Sequence, residues 1–251
     1  MVHKSSGRRM QKRADRRTQM METAMRLVRE EGIGAVTVYR LAKELGQSVS
    51  ILYRYFPGKA GLLVALQEHA IDAWETEVDQ WLRETDEALT AVPIQKHAAH
   101  YARILAVLSP FIEGYLNSPA RHRLVDELMS SPEQILSAAD LKLVNERLKP
   151  LLDKVSKVLD QAVAARVLAP GDSGVRARLF WAAFHGIDHL RKRDRGEPAS
   201  LRSDVLLLEM IRNLMRGFGA SSKQLEVALS YFLAGRSTRS GPRIDVRGEP
   251  K

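Results

Sequence analysis

Apolar residues recur at helical spacing along the first part of the chain and fall into short blocks. Gly32, Gly46 and Pro57 end these blocks, since glycine and proline stop a helix. Thr37 and Ser48 stand where hydroxyl side chains cap helix starts. The pattern therefore predicts helices at about 15–31, 37–45, 48–56 and from 58 or 59 onward.

The rest of the chain carries longer blocks with the same spacing. Pro150 is expected to kink or break one of them. There is no run of alternating apolar and polar β-branched residues and no Asn-Gly or Asp-Gly turn, so we predict an all-α chain. The longer helices are predicted at about 69–90, 94–108, 120–130, 133–168, 173–194, 199–217 and 222–234.

Both ends of the chain are basic, within a formal net charge of +9 over 251 residues. Residues 1–60 hold 13 Lys and Arg against 5 Asp and Glu, and residues 236–251 hold 5 against 2. Because residues 1–14 lack apolar periodicity, we predict a disordered basic arm there, and a flexible basic tail at 236–251. Positive charge concentrated in this way favours a polyanionic partner.

Composition excludes several classes of protein. Without cysteine there are no disulfides, thiolate metal sites or cysteine nucleophiles. No apolar run reaches the roughly 18 residues that span a bilayer, and no apolar segment follows the basic N-terminus to make a signal peptide. We therefore expect a cytoplasmic protein with no membrane partner.

Enzyme motifs are missing as well. Residues 46–50, GQSVS, come near the G-x-S-x-G nucleophile elbow, but that elbow follows a strand and a helix is predicted here. The sequence has no G-x-x-x-x-G-K, G-x-G-x-x-G or H-E-x-x-H. We expect neither an enzyme nor a cofactor.

Two short predicted helices over 37–56, joined at Gly46, make a helix-turn-helix. Leu52 and Phe56 follow Ser48 at four-residue steps and are predicted to anchor the second helix in the core. The side chains that then face outward are Val49, Ser50, Tyr53 and Arg54, with Tyr55 at the edge.

The outward-facing side chains suit DNA. Hydroxyls at helix starts, tyrosine hydroxyls and a lysine can bind phosphates, which positions a protein without reading sequence. Gln47 can bond adenine, Val49 or Ser50 can pack on a thymine methyl, and Arg54 could read guanine or hold the backbone. The alternative is that these are ordinary capping and surface residues. The predicted DNA-binding residues are Thr37, Tyr39, Gln47, Ser48, Val49, Ser50, Tyr53, Arg54, Tyr55 and Lys59.

Residues 13–66 contain a set of characteristic residues at fixed spacing, with no insertion or deletion between them. They are a first helix ending EEG, Thr37-Val38, Leu41-Ala42, Leu45-Gly46, Leu52-Tyr53, Tyr55-Phe56, Lys59 and Leu62-Leu63. In this register the stretch resembles the N-terminal domain of the tetracycline-repressor (TetR) family of transcription regulators. The resemblance implies an all-α homodimer. Its N-terminal three-helix DNA-binding domain would bind a near-palindromic double-stranded operator, and a larger helical domain would dimerise and bind a small-molecule effector. Repression is the family's usual mode. The implied domains are 1–14, 15–62 with the helix-turn-helix at 37–56, 63–235 and 236–251.

Three positions depart from the family's pattern. Gln47 stands where the family usually has an apolar residue, often Val, and Val28 stands where it has Phe. An acidic residue is common where Ala60 stands. Gln47 either adds a specificity contact or is merely solvated, so the operator sequence stays open.

The larger predicted domain carries aromatic residues suited to an apolar effector pocket. A fatty-acyl group or an aromatic drug would fit such a pocket, although aromatic residues at helical spacing fill cores more often than they contact ligands. The candidate lining residues are Trp74, Trp81, Leu105, Phe180 and Phe184 and, foremost, Tyr101, Phe111, Tyr115, Trp181 and His185.

Two histidine pairs raise the question of a metal. His185, Asp188 and His189 lie at helical spacing that could bind one, and His97 and His100 form a second pair. Neither group has an obvious further ligand, so we predict no metal site.

The segments 173–194 and 199–217 are more apolar than one buried stripe requires. They favour a homodimer built through these helices, the alternative being a large internal core.

A nonspecific architectural DNA-binding protein is the alternative function. Such a protein would not need the near-neutral, aromatic-rich region 63–235.

Overall fold

The computed structural model describes residues 3–92, 94–117 and 136–237, with only the backbone for 3–10, 13, 191–193 and 235–237. These ranges contain helices, turns and loops and no strand, so the predicted all-α class is confirmed. In chain order the helices are α1 His3–Glu31, α2 Val38–Glu44, α3 Val49–Tyr53, α4 Gly58–Ala91, α5 Lys96–Asn117, α6 Ala138–Ala164, α7 Ser173–Leu190, α8 Ser203–Gly217 and α9 Ser222–Ser237.

Two compact units divide the described residues. The first contains 3–72 and 136–148, and the second contains 73–117 and 149–237. Helices α4 and α6 therefore contribute to both units. The domain boundary predicted at 62/63 lies near the start of α4, whereas the first unit continues along this helix to Asp72.

Buried side chains of the first unit come from α1, α2, α3 and the first turns of α4. Their spacing follows the predicted apolar faces, and Leu52 and Phe56 are fully buried as the helical periodicity requires. The largest fully buried side chains in this unit are Met20, Met21, Leu27, Leu41, Leu52, Phe56, Leu62, Leu63, Leu66 and Ile71.

In the second unit α9 packs along α5, and α8 contacts both α7 and α9. Tyr101 on α5 is buried and joins two distant segments through its hydroxyl. The hydroxyl donates to Val167 O at 2.9 Å and accepts from Ser221 N at 3.0 Å. A second part of the core is aromatic, with neighbouring ring centroids 4.7–6.4 Å apart. Its members are Trp74, Phe111, Phe180, Trp181, Phe184 and Phe218.

The arm predicted to be disordered over 1–14 is helical from His3 onward, which corrects the prediction for residues 3–14. Lys, Arg, Gln and Met favour helix and no proline interrupts the segment, so α1 extends beyond its apolar stripe. Gln11 Nε2 donates to Asp15 Oδ1 at 2.9 Å across one turn. Met1 and Val2 lie outside the described residues.

Several predicted helix ends were also wrong. The helices predicted on either side of residue 68 form one continuous α4, because no glycine or proline follows Gly61 within it. Helix α5 passes through Pro110, whose missing N–H leaves Ala106 O open; Ser109 Oγ donates to that oxygen at 2.6 Å. Pro150 likewise lies within α6 without ending it.

The remaining differences concern the C-terminal half. Helix α6 begins at Ala138 rather than 133, and α7 ends at Leu190, where a 3-10 turn at Arg191–Gly196 takes over. The helix predicted at 120–130 and the tail from residue 238 lie outside the described residues.

Candidate functional site

Main-chain and capping contacts build the helix-turn-helix. Thr37 Oγ1 accepts a hydrogen bond from Arg40 N at 3.0 Å and caps α2 as predicted. Gly46 ends α2 with φ of 61°, a left-handed conformation that glycine adopts without strain. Gln47 N then donates to Ala42 O at 2.9 Å and closes the turn. These contacts fix the direction in which α3 leaves α2.

Helix α3 separates its side chains into a buried and an outer face. Leu52 is fully buried, and Phe56, whose N–H donates to Leu52 O at 2.9 Å, is buried beside it. Tyr53 is 56% exposed, and Ser50 and Arg54 are exposed with it. Of the other predicted DNA contacts, Tyr39 and Ser48 are exposed, and Thr37, Gln47, Val49, Tyr55 and Lys59 are half-buried.

Carboxylates engage two arginines of this region. Glu44 at the end of α2 accepts from Arg40 at 2.6 Å and also from Arg26 on α1. Arg40 donates in addition to Glu31 at 2.6 Å. Hydrogen bonds from Arg40, and then from Arg26, hold the pKa of Glu44 below its ordinary value. Because both arginines are already paired, neither is a free cation for a phosphate.

Lys43, Arg54 and Lys59 form no ion pair with any described residue. Lys43 is exposed and follows Tyr39 by one turn on α2, so it adds a cation to the same side of the helix. The sequence interpretation missed Lys43, although its four-residue spacing from Tyr39 was visible. The helix-turn-helix and the start of α4 thus present three cations together with the tyrosine hydroxyls.

The side chains of Gln47 and Ser48, two of the predicted DNA contacts, differ from the expectation in their hydrogen bonding. Gln47 Oε1 is buried and has no hydrogen-bond partner among the described residues, so both amide atoms cannot meet one base in this conformation. A bidentate bond to adenine would need this side chain to rotate. Ser48 occupies the position before α3, but its side chain makes no capping bond; its Oγ lies 3.2 Å from Ser50 Oγ.

The five foremost effector candidates have different surroundings in the described parts of the chain. Tyr101 is committed to its two hydrogen bonds, and Tyr115 is buried. Phe111 packs against Trp181 and other rings of the aromatic core at centroid distances of 4.7–5.4 Å. His185 Nδ1 lies 2.8 Å from Trp181 O, and the two rings are 4.5 Å apart.

A cavity of about 160 Å³ lies elsewhere in the second unit, between α4, α5 and α9. It shares none of the five foremost candidates, and only Trp81 of the wider set lines it. No local pattern predicted this cavity, because its wall joins residues far apart in the chain. The lining residues are Trp81, Glu84, Thr85, Ala88, Ala102, Tyr231 and Phe232.

No three His, Asp or Glu side chains in the described parts of the chain form a group that could hold a metal ion. His185 and His189 direct Nδ1 toward carbonyl oxygens one turn earlier, at 2.8 and 3.1 Å. Over the same ranges, no helix has the length and hydropathy needed to cross a membrane.

Comparison with known proteins points to the helix-turn-helix. The family model of bacterial regulatory proteins of the tetR family matches residues 20–66. The nucleoid occlusion factor SlmA of Vibrio campbellii is 29% identical over 181 residues, which are 70% of this chain and 81% of that protein.

Solved structures agree in fold. The fatty acid degradation regulator FadR of Bacillus halodurans has a TM-score of 0.56 at 14% identity, over 80% of this chain and 98% of FadR. AibR, solved with isovaleryl coenzyme A and operator DNA, has a TM-score of 0.52 at 18% identity, over 80% of this chain and 98% of AibR. At these identities the likeness is one of fold alone.

Proposed function

We propose that this chain, a transcriptional regulator of the TetR family, binds a near-palindromic DNA operator as a homodimer, represses transcription there and is released by a small effector. The observation that carries the proposal is the outer face of α3. Ser50, Tyr53 and Arg54 are exposed above the fully buried Leu52 and Phe56. A short helix held in this way presents polar side chains on a rigid base, as reading a major groove requires.

The side chains divide by the part of DNA that they would touch. Hydroxyls and lysines around the helix-turn-helix would bind phosphates and fix its register. Residues at the start of α3 would read bases. The proposed phosphate contacts are Thr37, Tyr39, Lys43, Ser48, Tyr53, Tyr55 and Lys59. The proposed base-reading residues are Gln47, Val49, Ser50 and Arg54, of which Arg54 can serve either purpose.

An exposed apolar stripe on α7 supports the homodimer. Val175, Leu179, Ala182, Gly186 and Leu190 recur at steps of three or four residues and are all exposed. Such a stripe needs a cover, and a second copy of the chain supplies the same stripe by two-fold symmetry.

Helix α9 offers a second exposed stripe of small and apolar residues, Val227, Ser230 and Ala234. The segment 199–217, which was predicted to form part of the dimer interface, has no such exposed stripe along its main apolar side. Leu207 and Ile211 on that side of α8 are buried within the same chain. We therefore propose a dimer face made by α7 and α9 rather than by α7 and α8.

Release by an effector would follow from linkage between two sites. A ligand that binds better to a dimer whose reading helices are wrongly spaced for successive major grooves lowers operator affinity, typically by about 1–3 kcal/mol. The co-crystallised isovaleryl coenzyme A and operator DNA of AibR show both kinds of ligand on one protein of this fold.

The double variant Tyr53→Phe with Lys59→Ala tests the proposed DNA surface. Loss of two phosphate contacts should weaken binding to every duplex roughly tenfold and lower the salt slope of log affinity by about one. Fluorescence anisotropy over a series of salt concentrations measures both. Lys157→Ala, an exposed lysine on α6, is the control and should leave affinity unchanged. Unaltered binding by the double variant would mean that DNA uses another surface.

A further inference from the structure

We propose that the side chain of Gln47 rotates outward when DNA binds and pairs with an adenine at one fixed position of each operator half-site. Gln47 lies in the turn of the helix-turn-helix, between Gly46 and the residue that precedes α3. Base edges are read from the start of the second helix, so a long side chain at this place reaches the same groove. The inference rests on the proposed function and adds to it a movement and the base that is read.

The amide oxygen of Gln47 is the group that calls for an explanation. Gln47 is half-buried, and its Oε1 is buried without a hydrogen-bond partner among the described residues. The backbone of this residue is fixed, because its N–H donates to Ala42 O at 2.9 Å. Most buried polar side-chain atoms in folded proteins have a partner. The acceptor of Gln47 therefore lacks a donor that another molecule can supply.

Two conformations of this side chain are close in free energy. With the oxygen inside, the two methylene groups are partly covered and the acceptor is unpaired. With the amide outside, water pairs the acceptor and the methylene groups are exposed. Exposing two methylene groups and burying one unpaired acceptor cost similar amounts, so a modest contact decides which conformation is populated. The turn also leaves room, since a Cβ on Gly46 would meet no atom within 4 Å.

The chemistry of the amide selects the base. An outward glutamine amide offers an N–H donor and a carbonyl acceptor side by side. In the major groove adenine presents the complementary pair, the acceptor N7 and the donor N6–H. Guanine presents two acceptors, thymine one acceptor and cytosine one donor, so each leaves one end of the amide unpaired. Adenine therefore stabilises the outward conformation most.

Operators selected from random duplexes by the wild type and by two Gln47 variants test the base. The wild type should enrich adenine at one position of each half-site, and another base there should weaken binding about tenfold. Gln47→Met keeps the length of the side chain without the amide and should lose the preference at that position alone. Gln47→Glu should prefer cytosine there, because a carboxylate only accepts and cytosine N4–H donates.

The same selection separates this inference from the proposed function. An operator that is selected specifically, with the same base preferences in the wild type and both variants, would overturn the role of Gln47 and leave the regulator intact. If the wild type selected no operator, the proposed function would fail and the inference would fail with it.

Unfolding of the full-length chain without DNA tests the buried acceptor. Gln47→Met removes the acceptor and keeps the methylene groups, so it should raise the folding equilibrium constant about fivefold. Gln19→Met, at an exposed position of α1, is the control and should leave the constant unchanged. Urea denaturation followed by circular dichroism measures both. Stability of the Gln47 variant equal to or below that of the wild type would show that the free chain does not hold an unpaired acceptor, and would overturn the movement.

Discussion

At the scale of single residues, the hydroxyl of Tyr101 carries an unusual share of the contacts in the second unit. It lies in the core, yet it bonds both Val167 O after α6 and Ser221 N before α9. Burial raises the pKa of this phenol, so it stays neutral and can donate and accept at once. The hydroxyl thereby ties α5 to two chain segments that are far away in sequence.

Tyr101→Phe should destabilise the protein by about 1–3 kcal/mol, because it leaves a buried carbonyl and a backbone N–H without their partner. Urea unfolding followed by circular dichroism measures the loss. Tyr39→Phe removes a hydroxyl from a side chain that is 69% exposed and should leave the free energy of unfolding unchanged. Equal stability of the Tyr101 and Tyr39 variants would show that the two hydrogen bonds of Tyr101 contribute little.

The sequence could indicate that Tyr101 is important but not why. Its helical spacing marked it as core or pocket, and both interpretations fit a lone aromatic residue among apolar ones. Which groups meet its hydroxyl depends on Val167 and Ser221, and no local pattern connects these positions. The same holds for Glu84 and Tyr231, which only the packing of α4 against α9 brings to one cavity.

At the scale of elements, ion pairs join α2 to α1. Glu44 accepts hydrogen bonds from Arg26 of α1 and from Arg40 of its own helix, and Arg40 also donates to Glu31 at the end of α1, so two ion pairs hold α2 against α1. The orientation of α2 in turn sets that of α3 through the turn at Gly46. This cluster is therefore placed to orient the outer face of α3.

Glu44→Gln should lower the melting temperature slightly at neutral pH and flatten its acid dependence. The folded pKa of Glu44 is depressed, so its stabilising effect is complete above the unfolded pKa, above about pH 5, and is lost as pH falls through the folded value. Thermal melts from neutral to acidic pH measure this. Glu22→Gln, an exposed carboxylate on α1 with no ion pair among the described residues, is the control. If Glu44→Gln kept the wild-type pH profile, the ion pairs would not couple the two helices.

Local signals predicted short helices better than long ones. Thr37 and Gly46 act within a turn of where they stand, and the bounds of α2 and the start of α3 followed from them, whereas α3 ends at Tyr53, three residues before its predicted end. The end of α5 did not follow from local signals either, because Ser109 supplies the bond that Pro110 cannot make. A sequence pattern registers the proline but not a compensation that depends on the folded geometry.

At the scale of the whole molecule, symmetry links the apolar stripe to DNA recognition. A near-palindromic operator needs two reading helices, and one chain supplies one. The stripes on α7 and α9 are exposed in the single chain, whereas Leu207 and Ile211 on the apolar side of α8 are buried within it. The dimer face and the reading face thus belong to one proposal.

Leu179→Glu should convert the dimer to monomers, since it places a charge in the centre of the α7 stripe, where Leu179 is 45% exposed in the single chain. Sedimentation velocity measures the mass in solution. Val205→Glu on α8, which is 39% exposed, is the matched control and should remain dimeric. The opposite result, with dissociation only in the Val205 variant, would move the interface to the segment first predicted.

The central claim is sequence-specific DNA binding by the helix-turn-helix. Anisotropy titration of an operator selected from random duplexes, against a scrambled duplex of equal length and salt, tests it most directly. We expect the operator to bind at least about a thousandfold more tightly, with two chains on each site. Equal affinity for the scrambled duplex would contradict the regulator and leave a nonspecific DNA-binding protein in its place.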